Sequence, residues 1–347
     1  MLAFNGPSPR ARAHESRTTS VGPRSEPSRG SAPKHDGRRA IVTRSVVRGS
    51  RWLRRCCVAV SDASRLGPTT CGLARACHPG PVAAVTASAV GLTRLFGGRR
   101  CEVLRVGAAV LVGQLAIGWQ NDWIDADRDR QAARPDKPIV SDLIGGGTVR
   151  NAAVVAGLAC IPASAALGRR SALAHLVALA SAGSYNAGLK RTVLSIFTYA
   201  VSFGLLPVVA HDAHPREEAT PGWAIAAGAL LGMSAHLVNV LPDRDADREL
   251  GVLGVPQRLP PEASLALATA LLLGASGTIA FGAGGLSRQA VGTFGASCAV
   301  SGVTLLAGQR LGGRTPFRLL LANALLQILL VSRTVDRDAL SQSGTPV

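Results

Sequence analysis

Metal chemistry of the zinc type has little to work with in this sequence. The seven cysteines include no CxxC pair, and no group of His and Cys has metal-ligand spacing. Cys56 and Cys57 are adjacent, Cys71 and Cys77 lie near the first apolar run, and Cys101, Cys160 and Cys298 are scattered, so all seven read as structural filler. Aromatic residues make up 4% of the chain, which leaves no evident stacking clamp for a particular ring. Acidic residues are scarce too, with 21 Asp and Glu against 38 Lys and Arg. A net charge of +17 ordinarily suggests a nucleic-acid partner, but such chains are rarely 47% hydrophobic with a mean hydropathy of +0.24, and no nucleic acid is expected here. The long apolar runs also lack a charged face, and that absence argues against a soluble helical bundle.

What charge there is sits mainly at one end. Residues 1–80 hold 15 Lys and Arg against 4 Asp and Glu, so +11 of the +17 falls in the first quarter. Residues 1–75 are rich in Arg, Ser, Pro and Gly, a composition that forms no core. No apolar stretch follows the first basic residues, so the segment does not read as a signal peptide. A disordered cytoplasmic arm, a tail for nucleic acid or anionic lipid, and a start assigned too far upstream are its three readings. The expectation is a disordered, dispensable arm over 1–75, a membrane domain over 76–335 and a short tail over 336–347.

Nine mostly uncharged runs follow, at 84–95, 103–119, 152–167, 173–187, 193–210, 223–241, 263–280, 292–307 and 319–331. With their Gly, Ser and Thr flanks, many reach the ~20 residues that cross ~30 Å of hydrocarbon. Their Ala, Gly and Leu content suits closely packed membrane helices. An all-α polytopic membrane protein with about nine transmembrane helices is expected. If the basic N-terminus is cytoplasmic, the loops after even-numbered runs hold Arg128, Arg130, Arg134, Lys137, Lys190, Arg191, Arg244, Arg248, Arg258, Arg310 and Arg314. The opposite loops hold fewer cations, which agrees with a positive inside face. The Arg, Ala and Gly bias points to the cell membrane of a high-GC bacterium.

Two of the cytoplasmic run-ends are alike. Asn121-Asp122-Trp123-Ile124-Asp125-Ala126-Asp127-Arg128-Asp129-Arg130 and Asn239-Val240-Leu241-Pro242-Asp243-Arg244-Asp245-Ala246-Asp247-Arg248 both fit N-x-x-x-D-x-D-x-D-R. At about 100° per helical residue, positions i, i+4 and i+8 drift only about 40° per step. Asn121, Asp125 and Asp129 therefore form one stripe, and Asn239, Asp243 and Asp247 another. Asp127 and Asp245 fall away from these stripes, toward solvent or a basic neighbour. Asp122 lies angularly beside Asp129 but two turns away. Pro242 is expected to kink or end the second helix. Carboxylates packed so closely repel one another unless a cation lies between them, and oxygen-only donors favour Mg²⁺ or Ca²⁺ over zinc. Two opposed stripes suit two or three Mg²⁺ ions around one diphosphate. Arg134 and Lys137, and at the next cytoplasmic run-end Lys190 and Arg191, would neutralise its oxygens, although anchoring at the membrane surface explains the latter pair as well.

These residues resemble a family. Asn121-Asp122-x-x-Asp125-x-x-x-Asp129 followed by Arg134-Pro135-x-Lys137-Pro138 is similar to the first signature of the UbiA prenyltransferases, and Asp243-x-x-x-Asp247 to the second. The likeness extends to His78-Pro79, to Tyr185-Asn186-x-x-Leu189-Lys190-Arg191-Thr192 and to Tyr199 through Pro207, covering roughly residues 76–335. It implies nine transmembrane helices around a central cavity, with both Asp motifs under a cytoplasmic cap. It implies Mg²⁺-dependent transfer of an isoprenoid chain from its diphosphate to an acceptor. By this resemblance Asn121, Asp125, Asp129, Asp243 and Asp247 bind diphosphate through Mg²⁺; Lys137, Arg134 and Lys190 contact phosphate; and Tyr185 lines the cavity beside the reacting carbon. Asn239 departs from the acidic residue many members carry, which bears on how many metals the second site holds.

The expected reaction draws off diphosphate from an allylic carbon in a water-poor cavity, where a nucleophilic carbon of an aromatic or quinone-precursor acceptor attacks. A membrane terpene cyclase on the same scaffold is not separated from a transferase by these motifs. CDP-alcohol phosphotransferases want an Asp-Gly pair followed by Ala-Arg, which neither motif supplies. A transporter would hold its carboxylates near midplane, whereas these cluster at run-ends.

Overall fold

The computed structural model describes residues 67–214, 218–284 and 288–311, and every regular element among them is helical. In chain order they are α1 (Pro68–Ala76), α2 (Pro79–Leu95), α3 (Arg100–Ile124), α4 (Ala126–Gln131), α5 (Gly146–Ala165), α6 (Arg169–Ala187), α7 (Ser195–Gly204), α8 (Leu206–His211), α9 (Gly222–Val240), α10 (Arg244–Glu249), α11 (Val255–Arg258), α12 (Pro261–Gly284) and α13 (Arg288–Leu311). Eight of the nine expected runs fall on these helices; the run at 319–331 lies outside the described residues, as do the tail at 336–347 and the arm up to residue 66. Residues 68–75, expected in the arm, instead form most of α1. That helix is seated because Ala76 and Gly72 are buried and the Trp119 indole Nε1 donates to Leu73 O at 2.9 Å.

Among the described residues four helices are long and apolar enough to cross a membrane: α3, α5, α9 with its continuation to Glu249, and α12. The run at 193–210 is two helices rather than one. Pro207 sits in the first turn of α8, and α7 ends ahead of it at Gly204. The bundle turns the usual soluble distribution around. Large apolar side chains such as Leu104, Val155, Leu158, Leu173 and Phe197 face outward, while Asp122, Asp125, Asp129, Lys137 and Lys190 are buried. Such a surface is solvated by lipid rather than water.

Neighbouring helices pack in the order α5–α3–α6–α7–α9–α12–α13, with α2 against α3 and α8. Two apolar clusters hold this arrangement below the motifs. One joins α2, α3, α6 and α8 through Val85, Val106, Val110, Ala174 and Val209; the other joins α9 to α12 through Leu237, Val238, Ala268 and Leu272. Close approach depends on small residues. A Cβ on Gly232 of α9 would lie 2.6 Å from Tyr199 O, so glycine lets α7 and Tyr199 lie directly on α9.

Candidate active site

Each Asp-rich motif straddles a helix break. In the first, α3 ends at Ile124 and α4 begins at Ala126, but the i to i−4 bonds continue: Asp125 N–H donates to Asn121 O at 2.9 Å and Asp129 N–H to Asp125 O at 2.8 Å. The stripe of Asn121, Asp125 and Asp129 therefore survives the break. In the second, a 3₁₀ turn over Leu241–Asp243 carries Pro242 between α9 and α10, the interruption that proline dictates. Asn239, Asp243 and Asp247 nevertheless line the same pocket as Asn121 and Asp125.

That pocket is also lined by His78, Arg128, Tyr185, Asn186, Lys190 and Tyr199, with Pro81, Val82, Ile117, Gly118 and Val240 as apolar wall. Asp125 is its hub. One carboxylate oxygen accepts from Lys190 Nζ, and the other from Arg128 Nη2 at 2.9 Å and Asn121 Nδ2 at 3.1 Å. Asn186 clamps α6 to α3, donating to Ile117 O and Gln120 Oε1 at 3.1 Å each and accepting from Asn121 at 3.2 Å. Lys190 reaches the hub from the turn after α6. Gly254 fits beside it because a Cβ there would lie 2.7 Å from Lys190 O, so the segment leading to α11 packs on the lysine's own backbone. From α11, Gln257 Nε2 donates to Asp247 Oδ2 at 3.0 Å.

Arg128 lies between the motifs, with Nη2 3.9 Å from Asp129 Oδ1 and Nη1 3.8 Å from Asp247 Oδ1. Burial works against its charge, but Asp125, Asp247 and Asp129 more than offset it and hold the guanidinium firmly protonated. Burial pulls the Lys190 ammonium below its ordinary range, opposed by Asp125. His78 is pushed down to about 3, first by burial and then by Lys137 and Arg134, so it stands neutral at the lip of the pocket.

The remaining expected site residues are divided by the fold. Asp129 is buried behind the pocket, and neither of its oxygens has a hydrogen bond. Lys137 is buried as well and turned to carboxylates, Nζ lying 2.8 Å from Asp122 Oδ1 and 3.6 Å from Asp129 Oδ2. Its loop is fixed by Ile139 and Ile144, which pack against Ala76 of α1 and Val149 of α5. Arg134 bridges the edge, 3.3 Å from Asp136 and 4.0 Å from Asp243. Arg191 is exposed and off the lining. Asp127 and Asp245 point outward, their side chains 89% and 86% exposed and paired to Arg130 and Arg244. Sequence reasoning passed over Arg128, Asp122, Asn186, Tyr199 and Gln257 as site residues. The signal for Arg128 was present, three residues after Asp125 and seven after Asn121 on one helical face.

Three carboxylates and two cationic side chains line the pocket directly, together with the amides of Gln114, Asn121, Asn186 and Asn239, the hydroxyls of Tyr185 and Tyr199, the His78 imidazole and the Cys77 thiol. Such a set, three carboxylates against two cations, favours an anion that arrives with a hard divalent cation over one that arrives alone. Among the described residues no three His, Cys, Asp or Glu side chains converge closely enough to hold a metal ion on their own.

A family model, the UbiA prenyltransferase family, matches residues 102–316. No curated protein matches the sequence. Among solved structures, the chain is similar to a UbiA homologue from Archaeoglobus fulgidus bound to GPP and Mg²⁺, at 15% identity and a TM-score of 0.58, covering 75% of this chain and 97% of that one. The form described as bound to DMAPP and Mg²⁺ gives 16% identity and 0.59, covering 75% and 96%. An apo UbiA homologue from Aeropyrum pernix K1 gives 20% identity and 0.60, covering 74% and 97%. At these identities the likeness is one of fold.

Proposed function

This chain belongs to the UbiA prenyltransferase family, and from that membership we propose that it transfers a prenyl group from a prenyl diphosphate, with Mg²⁺, to an aromatic or quinone-precursor acceptor within the membrane. The observation that carries the reading is the meeting of both motifs at one pocket: Asp125 from the first, Asp243 and Asp247 from the second, with Lys190 and Arg128 beside them.

Asn121, Asp125, Asn239, Asp243 and Asp247, all on the lining, are the residues that would hold Mg²⁺, with Asp129 buried behind them. When bound, the ion supplies Lewis-acid neutralisation of the diphosphate oxygens. Lys190 donates to the same oxygens and stabilises the charge that grows as the carbon–oxygen bond breaks. Arg134 reaches them from the pocket edge, while Lys137 acts through Asp129 rather than on phosphate. Tyr185 and Tyr199 meet edge to face, with centroids 5.3 Å apart, and offer π electrons to positive charge on the allylic carbon. Pro81, Val82, Ile117 and Gly118 keep water from it. The acceptor's nucleophilic carbon then bonds to the allylic carbon as diphosphate leaves, and the proton it loses passes to the released diphosphate.

A second, smaller pocket lies further inward on the path proposed for the isoprenoid; it is lined by Val85, Val110, Leu179, Phe203 and Val209 with His175 and Ser202, and it shares Gln114 with the first. Asn121 and Val110 lie eleven residues apart on α3, which is roughly 16 Å of helix. The motifs are proposed to face the cytoplasm of a bacterium, and the basic segment ahead of α1 to stand outside the catalytic domain.

The test is purified protein in lipid nanodiscs with prenyl diphosphates of several lengths, against aromatic acceptors and with none. A prenylated acceptor formed only with Mg²⁺ supports the reading. Cyclised product without acceptor would make the chain a cyclase, and no diphosphate release in any combination would reject both.

A further inference from the structure

Arg128 holds a place that charge alone does not require. Lys190 already neutralises Asp125, and Lys137 stands between Asp122 and Asp129. The Arg128 side chain is only 17% exposed, yet among the described residues its one hydrogen bond is Nη2 to Asp125 Oδ2 at 2.9 Å. Its other carboxylate neighbours, Asp129 and Asp247, stand at 3.9 and 3.8 Å. A guanidinium carries five N–H donors in a rigid fork. Most of them are thus unspent beside a pocket that this side chain lines, at the point where the two motifs meet. Charge is in excess there and hydrogen bonding is in deficit, which is the condition of a group set to take further oxygens.

We propose that Arg128 is a resident counter-ion with two uses: alone it holds the opposed aspartates together, and with substrate it grips the diphosphate through its free donors. The inference rests on the prenyl diphosphate reading of the pocket. An arginine matches phosphate oxygens in bidentate fashion, which a lysine cannot do. The same positive charge stands among Asp125, Asp129 and Asp247, so it competes with a divalent cation for them whenever no phosphate is present. The two uses give effects of opposite sign, and general damage to the site would not.

The test is Arg128→Gln and Arg128→Lys in the full chain, purified in nanodiscs, with two binding measurements and no turnover. A non-hydrolysable prenyl thiodiphosphate is titrated under EDTA and again with Mg²⁺, and Mn²⁺ alone is titrated by electron paramagnetic resonance. Arg128→Gln is expected to weaken metal-free analogue binding about tenfold or more and to tighten binding of Mn²⁺ alone severalfold. Arg128→Lys is expected to weaken the analogue while leaving Mn²⁺ near the wild-type value, and it decides the matter if the glutamine variant does not fold. Loss of both ligands together, or no change in either, overturns the role given to Arg128. A wild-type chain that binds no analogue even with Mg²⁺ overturns instead the diphosphate reading beneath it.

Discussion

The ammonium of Lys137 sits 2.8 Å from Asp122 Oδ1 with both side chains buried, so a cation expected on phosphate is engaged behind the pocket. His78 completes the cluster, its Nε2 3.5 Å from Lys137 Nζ and 3.6 Å from Asp122 Oδ1. Residues from the α1–α2 junction, from α3 and from the loop after α4 thus meet at one buried ion pair. The loop that carries Arg134 is fixed to the bundle through it.

Removing one partner of such a pair leaves the other charge buried alone. Lys137→Met is expected to cost about 3–5 kcal/mol of stability, and Asp122→Asn combined with Lys137→Met to recover part of it. Thermal unfolding of the purified proteins in one detergent checks this. Lost turnover at unchanged stability in the single variant would return Lys137 to the phosphate.

The outward aspartates provide the control. Asp127→Ala and Asp245→Ala remove exposed side chains whose ion pairs contribute little. Transfer rates within about twofold of wild type and stability within about 0.5 kcal/mol are expected. A large loss at either position would mean that the stripes have been assigned to the wrong faces.

His78 makes stability depend on pH in a defined direction. Its folded pKa of about 3 lies below the ordinary value of 6.5, so between them the unfolded chain binds the extra proton. The contribution is full above 6.5 and is lost progressively as pH falls toward 3. His78→Gln is expected to flatten that limb in a series of melting temperatures across this range. An unaltered limb would show that other groups carry it.

How much of this was legible follows from how local each signal is. The stripe Asn121, Asp125, Asp129 needs only a helical period, and backbone bonds sustain it across the break at Asp125. Pro242 announced the interruption found in the second motif. Pro207 carried the same kind of signal within the run at 193–210, yet its hydropathy is continuous across α7 and α8. Lys137 was readable as a cation near the motif but not as a partner of Asp122. That pairing depends on Ile139 and Ile144 seating the loop against Ala76, a contact between residues some sixty positions apart. Asn186 likewise takes its clamping role from Ile117 and Gln120 on another helix. The seating of Gln257 on Asp247 depends on a tight approach at Gly254 that no local pattern reveals.

The central claim is that the two aspartate motifs act on one diphosphate. Its most direct measurement is Mg²⁺-dependent prenyl transfer by wild type, Asp125→Ala and Asp243→Ala, each confirmed as inserted and folded in nanodiscs. The expected result is transfer by the wild type that chelation abolishes, and a loss of at least a hundredfold in each variant, about 2.7 kcal/mol of barrier or more. Turnover near the wild-type rate in both variants would contradict it.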